Sequence, residues 1–392
     1  MTIEGELTVR LDWDGHRVLR VGVRSTRPYA ASRALVGKAP ADAAAMAPLM
    51  FSVCAQAQGV AAAGAAEAAL GHDAAARTVA AREAAVLLET IQEYLWRILI
   101  DWPQAMGHPP QVEPVGTARH AIAPVLAALA PAARRTDGRA SEGGAMIPPE
   151  LAAALVEIAG KHVFGGAPDA WLALMDGDTV DAWVGRAYTL PARLLRELMA
   201  TAPELGRSNV ALMPVPRREA LVKCVVPALR RTPEFAQAPR WDGVPVETGA
   251  LARMHAHPLV AAFRRRFGNA VPTRMAARLC ELAALLGHLS GAHADDQAAP
   301  WAHAFPLERG TGLAAVQTAR GLLLHYVAVA EGRVAHYRIV APTEWNFHPE
   351  GALVRGLDRL EAPDEATLVR RARLAVQALD PCVACRIEVG HA

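Results

Sequence analysis

The chain has few cysteines, little net charge and no membrane-length apolar run. Five cysteines in 392 residues, odd in number and widely spread, exclude a disulfide framework. A net charge of +2 with 41 basic and 39 acidic residues excludes a strong electrostatic footprint for nucleic acid. The short basic runs FRRRFG (263–268) and RRAR (370–373) read as solvated helix faces. The opening MTIEGELTV has no basic region followed by an apolar run, so no secretory signal is read there. The Ala-rich stretch 55–70 is interrupted by Gly59, Gly64 and Glu67 and is not a membrane span. These absences predict a cytoplasmic protein with no nucleic-acid partner and no membrane insertion. Internal repeats are lacking as well. What is present is apolar: 52% hydrophobic against 20% charged, enough for a large core.

The periodicity predicts an α+β, mainly helical fold in one domain over 1–392. Leu7, Val9, Leu11 and Trp13 alternate with polar residues, a turn follows at 14–16, and Val21 and Val23 return, giving a β-hairpin over about 6–25. A helical core is expected over about 40–290. Within it, Val86, Ile91, Leu95 and Ile98 fall near one helix face, with Glu83, Glu89 and Glu93 mostly elsewhere. Pro103 and GHPP (107–110) end that run. Helices are further expected at 149–160, 188–202, 248–265 and 272–290, with loops at 134–147 and 291–300. A second hairpin is predicted at about 321–341, turning at Glu331-Gly332. The C-terminal helix and Cys motif occupy about 364–392, with Asp364 as N-cap of a helix to 379.

The chain closes on LDPCVACRIEVGHA. Asp380 reads as an N-cap and Pro381 as the first position of a new short helix. Cys382 and Cys385 would then share its first turn, where the helix N-terminus favours thiolates. Such a pair serves as a metal clamp or a redox couple; a structural zinc site needs two more ligands, and there is no second Cys-x-x-Cys. Cys224 and Cys280 lie in apolar runs and read as core thiols. Cys54, in MFSVCAQAQGVAAAG, stands where an apolar segment gives way to a small-residue helix, open to close packing or to a cofactor.

Taken together, five blocks resemble the large subunit of nickel–iron hydrogenases. DPCVACRIE (380–388) resembles its C-terminal Asp-Pro-Cys-x-x-Cys-x-x-His. TARGLLLHYVAVAEGRVAHYRIVAPTEWNFHPEG (318–351) is similar to its Arg-Gly…His…Tyr…Pro-Thr-x-Trp-Asn block. GVPVETGALAR (243–253) resembles Glu-x-Gly-x-x-Ala-Arg, and IEGELTV (3–9) resembles Ile-Glu-Gly-His-Leu. FSVCAQAQGVAAAG falls where the family has Cys-Gly-x-Cys-x-x-x-His.

The departures are informative. The resemblance implies four thiolates holding nickel and iron, but only Cys54, Cys382 and Cys385 occupy such positions. Ala57 stands for a bridging thiolate, Ala61 for the following His and Glu388 for the final His. Only VGHA follows, so the tail cleavage by which catalytic large subunits mature is not expected. Glu4 falls at the family's proton-relay carboxylate, where an exposed Glu at the start of a strand is an equal reading.

This pattern, with ETIQEYLWRILIDWP (89–103), resembles the HupK/HoxV accessory proteins of hydrogenase maturation. That resemblance implies a hydrogenase-large-subunit-like helical core with peripheral hairpins and a scaffold rather than an enzyme. The scaffold would transiently hold an Fe(CN)2(CO) fragment, without nickel, through Cys54, Cys382 and Cys385. Two or three soft thiolates suit such an iron. Arg320 and Thr343 would face the cyanides as donors and Pro342 would wall the diatomics. Expected partners are the maturation proteins that build the iron fragment and the large-subunit precursor. A divergent catalytic hydrogenase, or a metal-free protein that mimics the large subunit's surface, are the alternatives.

Overall fold

A computed structural model describes residues 5–26, 29–139, 146–174, 177–186, 188–290 and 300–391. Glu4 and most of the loop expected at 291–300 lie outside these residues, as do 140–145 of the loop expected at 134–147.

The first hairpin forms as the alternation requires. β1 (Glu6–Trp13) pairs antiparallel with β2 (Val18–Ser25) and buries Leu7, Val9, Leu11 and Trp13. Its other edge is taken by the far end of the chain. β9 (Ala384–His391) runs parallel to β1, from Glu6↔Ala384 through Leu7↔Cys385 to Trp13↔His391, giving the order β2-β1-β9. This corrects the expected terminal helix. Asp380 does not open a helix; it ends the preceding one in the left-handed region at φ 57. Cys382 lies in the bend that follows and Cys385 in the strand. The physical reason is that Cys385, Ile387 and Val389 alternate to match the inward face of β1, and eight residues of pairing outweigh one helical turn.

Between the two ends runs a helical body. α1 (Pro40–Met50) leads through a 3-10 turn at Ser52–Cys54 into α2 (Ala55–Leu70), which is buried from Ala57 to Ala69. α3 (Ala76–Trp96) continues into a π-helical turn at Arg97–Asp101. α4 spans Val112–Ala133, and α5 (Val271–Leu289) crosses the centre almost wholly buried. The helix expected at 248–265 divides into Ala250–Met254 and Pro258–Phe267, because Pro258 interrupts the hydrogen-bond ladder. α6 (Glu365–Leu379) starts on Asp364, whose carboxylate accepts from the Thr367 N–H. β3 (Ala211–Leu212) and β4 (Val246–Glu247) form a short parallel pair.

The expected second hairpin is half of a larger antiparallel sheet. β5 (Ala302–Glu308) and β6 (Thr311–Thr318) precede β7 (Gly321–Ala330) and β8 (Arg333–Val340) in the order β5-β6-β7-β8. α2 lies directly on this sheet, and its Ala/Gly composition permits the approach. A Cβ on Gly312 of β6 would stand 2.2 Å from the Ala65 carbonyl oxygen and 2.6 Å from the Ala69 nitrogen. Both are backbone atoms and neither can yield. Gly312→Ala is therefore expected to destabilise the fold by roughly 1–3 kcal/mol, the range for overpacking. A lowered midpoint in denaturant unfolding checks this, and a wild-type midpoint contradicts the packing.

Among the described residues no single helix is long and apolar enough to cross a membrane.

Candidate functional site

The site forms where the two chain ends meet. Cys54 caps the start of α2, Cys382 follows α6, and both are buried. Their thiols hydrogen-bond each other. That contact, then burial, holds the Cys54 thiol well above the ordinary thiol range. Cys385 is not in this contact. Its register partner is Leu7, and burial and Glu6 push its thiol up to about 11. Among the described residues no group of three or more His, Cys, Asp or Glu side chains is placed to hold a metal ion. The structure thus brings two of the three expected thiols together.

Asp380 fixes Cys382 from one side. Its side chain is fully buried and surrounded by three guanidiniums: Arg97 Nε at 2.8 Å, Arg320 Nε at 3.2 Å and Arg278 Nη2 at 3.7 Å. Burial alone would raise its pKa, but Arg320, Arg97 and Arg278 keep it below the ordinary carboxylate value. Thr343 fixes Cys382 from the other side, its Oγ1 accepting the Cys382 N–H at 2.9 Å. Thr343 and Pro342 are buried in the short helix Pro342–Asn346. Asn346 of that helix accepts from the Thr248 N–H at 2.9 Å and donates to the carbonyls of Arg320 (3.2 Å) and Leu379 (3.3 Å). The sequence blocks at 243–253, 318–351 and 380–388 are thereby locked around one point.

Arg320 is the cation of the site. Its Nη2 donates to Glu93 Oε2 at 2.6 Å and its Nε to Asp380. Burial alone would lower its pKa, but Asp380, Glu93, Cys382 and Cys54 hold it well above the usual arginine value, so it stays charged beside both sulfurs. Arg320 and Thr343, picked out in the sequence, lie at the thiol pair, and Pro342 is the buried neighbour of Thr343 in the same short helix.

The periodicity puts Glu83, Glu89 and Glu93 mostly off the apolar face of α3; in the structure all three carboxylates find partners on the inner side. Glu83 accepts the Trp301 and Ala302 N–H groups at 3.0 and 2.9 Å. Glu89 accepts the Gln56 and Ala57 N–H groups at 2.8 and 2.9 Å, capping α2 beside Cys54, and burial pushes it up to about 7. Glu93 holds Arg320. The block 89–103 thus supplies Glu89, Glu93 and Arg97 to the site; its acidic spacing was visible, but not the direction each carboxylate takes. Ala57 and Ala61 are fully buried in α2, and Glu388 projects from β9 toward Arg386 at 3.4 Å. Cys280 is the buried core thiol expected, whereas Cys224 is only half-buried.

Gln58 was missed. Its amide nitrogen lies 3.7 Å from Cys54 Sγ and its carbonyl oxygen 2.8 Å from His325 Nε2.

Chemically, two adjacent soft donors beside a buried cation suit an anionic thiolate complex of one ion. With its pKa raised, the Cys54 thiol holds its proton, and an ion bound by the pair would have to displace thiol protons.

The chain is also similar to known proteins. Residues 258–388 match the nickel-dependent hydrogenase family. Over its full length the chain is similar to the hydrogenase expression/formation protein HoxV of Cupriavidus necator, at 33% identity over 99% of this chain and 97% of that protein. HupK of Rhizobium leguminosarum bv. viciae, also a hydrogenase expression/formation protein, is 32% identical over 99% and 98%. The fold resembles the reduced Ni-Fe-Se hydrogenase of D. vulgaris Hildenborough, with a TM-score of 0.59 over 93% of each chain at 18% identity.

Replacing Asp380 by Asn keeps a residue tolerant of positive φ and removes the charge that three arginines share. Leaving buried arginines without their carboxylate is expected to cost roughly 3–5 kcal/mol, measured by denaturant unfolding. A change within about 0.5 kcal/mol, the range of neutral surface substitutions, would contradict the assigned anchor.

Proposed function

Because the chain belongs to the HupK/HoxV family of hydrogenase expression/formation proteins, we propose that it is a scaffold in nickel–iron hydrogenase maturation, carrying the Fe(CN)2(CO) fragment on the Cys54 and Cys382 thiolates. The observation that carries this reading is the contact of these two thiols beside Arg320, although they stand 328 positions apart in sequence. Two thiolates add two negative charges to the iron unit, and a buried guanidinium offsets part of that. Thr343 is suited to donate to a cyanide nitrogen, since a hydroxyl that accepts from the Cys382 N–H still carries its own hydrogen. Pro342 provides an apolar wall.

The same arrangement supports carriage rather than turnover. Ala57 and Ala61 put inert methyl groups where the family resemblance implies a bridging thiolate and a histidine. With those groups absent, nickel has no donor set comparable to that of iron. A fragment held in a centre that lacks one thiolate and the nickel half is retained less strongly than one built into a complete centre, which suits a protein that receives cargo from the maturation proteins building it and passes it to the large-subunit precursor.

Protein purified anaerobically from cells containing the maturation machinery is expected to contain iron and to show infrared bands of bound cyanide and carbon monoxide. Cys54→Ala and Cys382→Ala are each expected to lose at least tenfold in bound iron and to lose the bands. Iron-free wild-type protein without such bands, under those conditions, would sink the carrier reading.

A further inference from the structure

Behind Cys54 lies a chain of buried polar groups that no part of the carrier reading requires. Gln58, one turn along α2, places its amide Nε2 at 3.7 Å from Cys54 Sγ. Its Oε1 is 2.8 Å from His325 Nε2 on β7, and His325 Nδ1 is 2.8 Å from the Tyr337 hydroxyl on β8. All three side chains are buried, His325 completely. The Tyr337 carbonyl is itself held by the Ser32 hydroxyl at 3.1 Å.

The direction of the chain follows from its chemistry. Burial keeps the Tyr337 phenol protonated and holds His325 neutral, down to about 3. Among the described residues, His325 Nδ1 is the acceptor within reach of the Tyr337 hydroxyl. A neutral imidazole that accepts at Nδ1 carries its hydrogen on Nε2. That hydrogen goes to Gln58 Oε1, which turns the amide N–H₂ toward sulfur. Each link is fixed by the one before it, and the sum is a donor aimed at Cys54.

We propose that Gln58 is a positioning residue for Cys54, and that the Tyr337–His325–Gln58 chain holds a permanent hydrogen bond on its sulfur to weaken that sulfur as a metal donor. A hydrogen bond to a ligating thiolate withdraws electron density from the metal–sulfur bond, as such bonds do at iron–sulfur and other metal sites. In a carrier this favours release. The inference rests on the carrier reading for its purpose, but the hydrogen bond itself does not need iron.

The test uses the full chain in two states. In the iron-free protein, the sulfhydryl stretching band of Cys54 is assigned by its loss in Cys54→Ala. Gln58→Met, similar in volume and unable to donate, is expected to shift that band. Tyr337→Phe, which frees His325 to take the other tautomer without touching the sulfur, is expected to shift it less. In protein loaded with the iron fragment, Gln58→Met is expected to move the carbonyl band to lower frequency, because a stronger sulfur donor puts more electron density on iron. It is also expected to slow transfer of iron to a large-subunit precursor at least threefold. If Gln58→Met fails to fold, the Tyr337→Phe bands decide. Unmoved sulfhydryl and carbonyl bands in a folded variant would overturn the inference. A wild-type protein without a carbonyl band would instead overturn the carrier reading, and the iron-free band would still decide this one.

Discussion

Asp380 is the hinge on which the arrangement turns. A carboxylate with no exposed side-chain surface, bound by Arg97, Arg320 and Arg278, is stable only because three guanidiniums repay its lost hydration. Those arginines come from the π-helical turn after α3, the β6–β7 connection and α5. One residue thus ties the end of α6 to three other elements. Its left-handed backbone then directs Pro381 and Cys382 into the centre and sends the following strand along β1. The thiol contact is a consequence of this anchor, reinforced by Thr343 and by the eight-residue pairing of β1 with β9.

Around that anchor the molecule uses small residues to bring backbones close and charged residues to fix angles. α2 carries almost nothing but Ala and Gly on the sheet side, so β6 can lie against it at Gly312. Where α2 carries polar groups, they are spent: Glu67 on Arg82 at 2.7 Å, Gln58 between His325 and Cys54, and the helix start on Glu89. The outcome is a sulfur at the N-terminal end of a buried helix, with a cation on one side and an amide donor on the other.

Much of this was legible in the sequence. The alternation of Leu7, Val9, Leu11 and Trp13, the Asp364 cap and the Glu331-Gly332 turn each specify local structure through short-range physics, and each formed. The motif blocks around Cys54, Arg320, Thr343 and Cys382 marked residues that do converge. What escaped the reading was decided at long range. The pattern Cys385, Ile387, Val389 is a strand signal, but the Asp-Pro before it reads equally as a helix start until β1 offers an edge. Glu89 and Glu93 look like solvated acids on α3 until Ala57 and Arg320 are seen to need partners. Gln58 and His325 lie 267 positions apart, and nothing local to either announces the other.

The central claim is that sulfur from Cys54 and sulfur from Cys382 bind the same iron. X-ray absorption at the iron edge of the loaded protein counts those sulfurs directly. The account predicts two sulfur neighbours in the wild type, unchanged in Cys385→Ala, and one or a loss of iron in Cys54→Ala. Two sulfurs that persist in Cys54→Ala and vanish in Cys385→Ala would place the iron on the terminal Cys-x-x-Cys alone and contradict it.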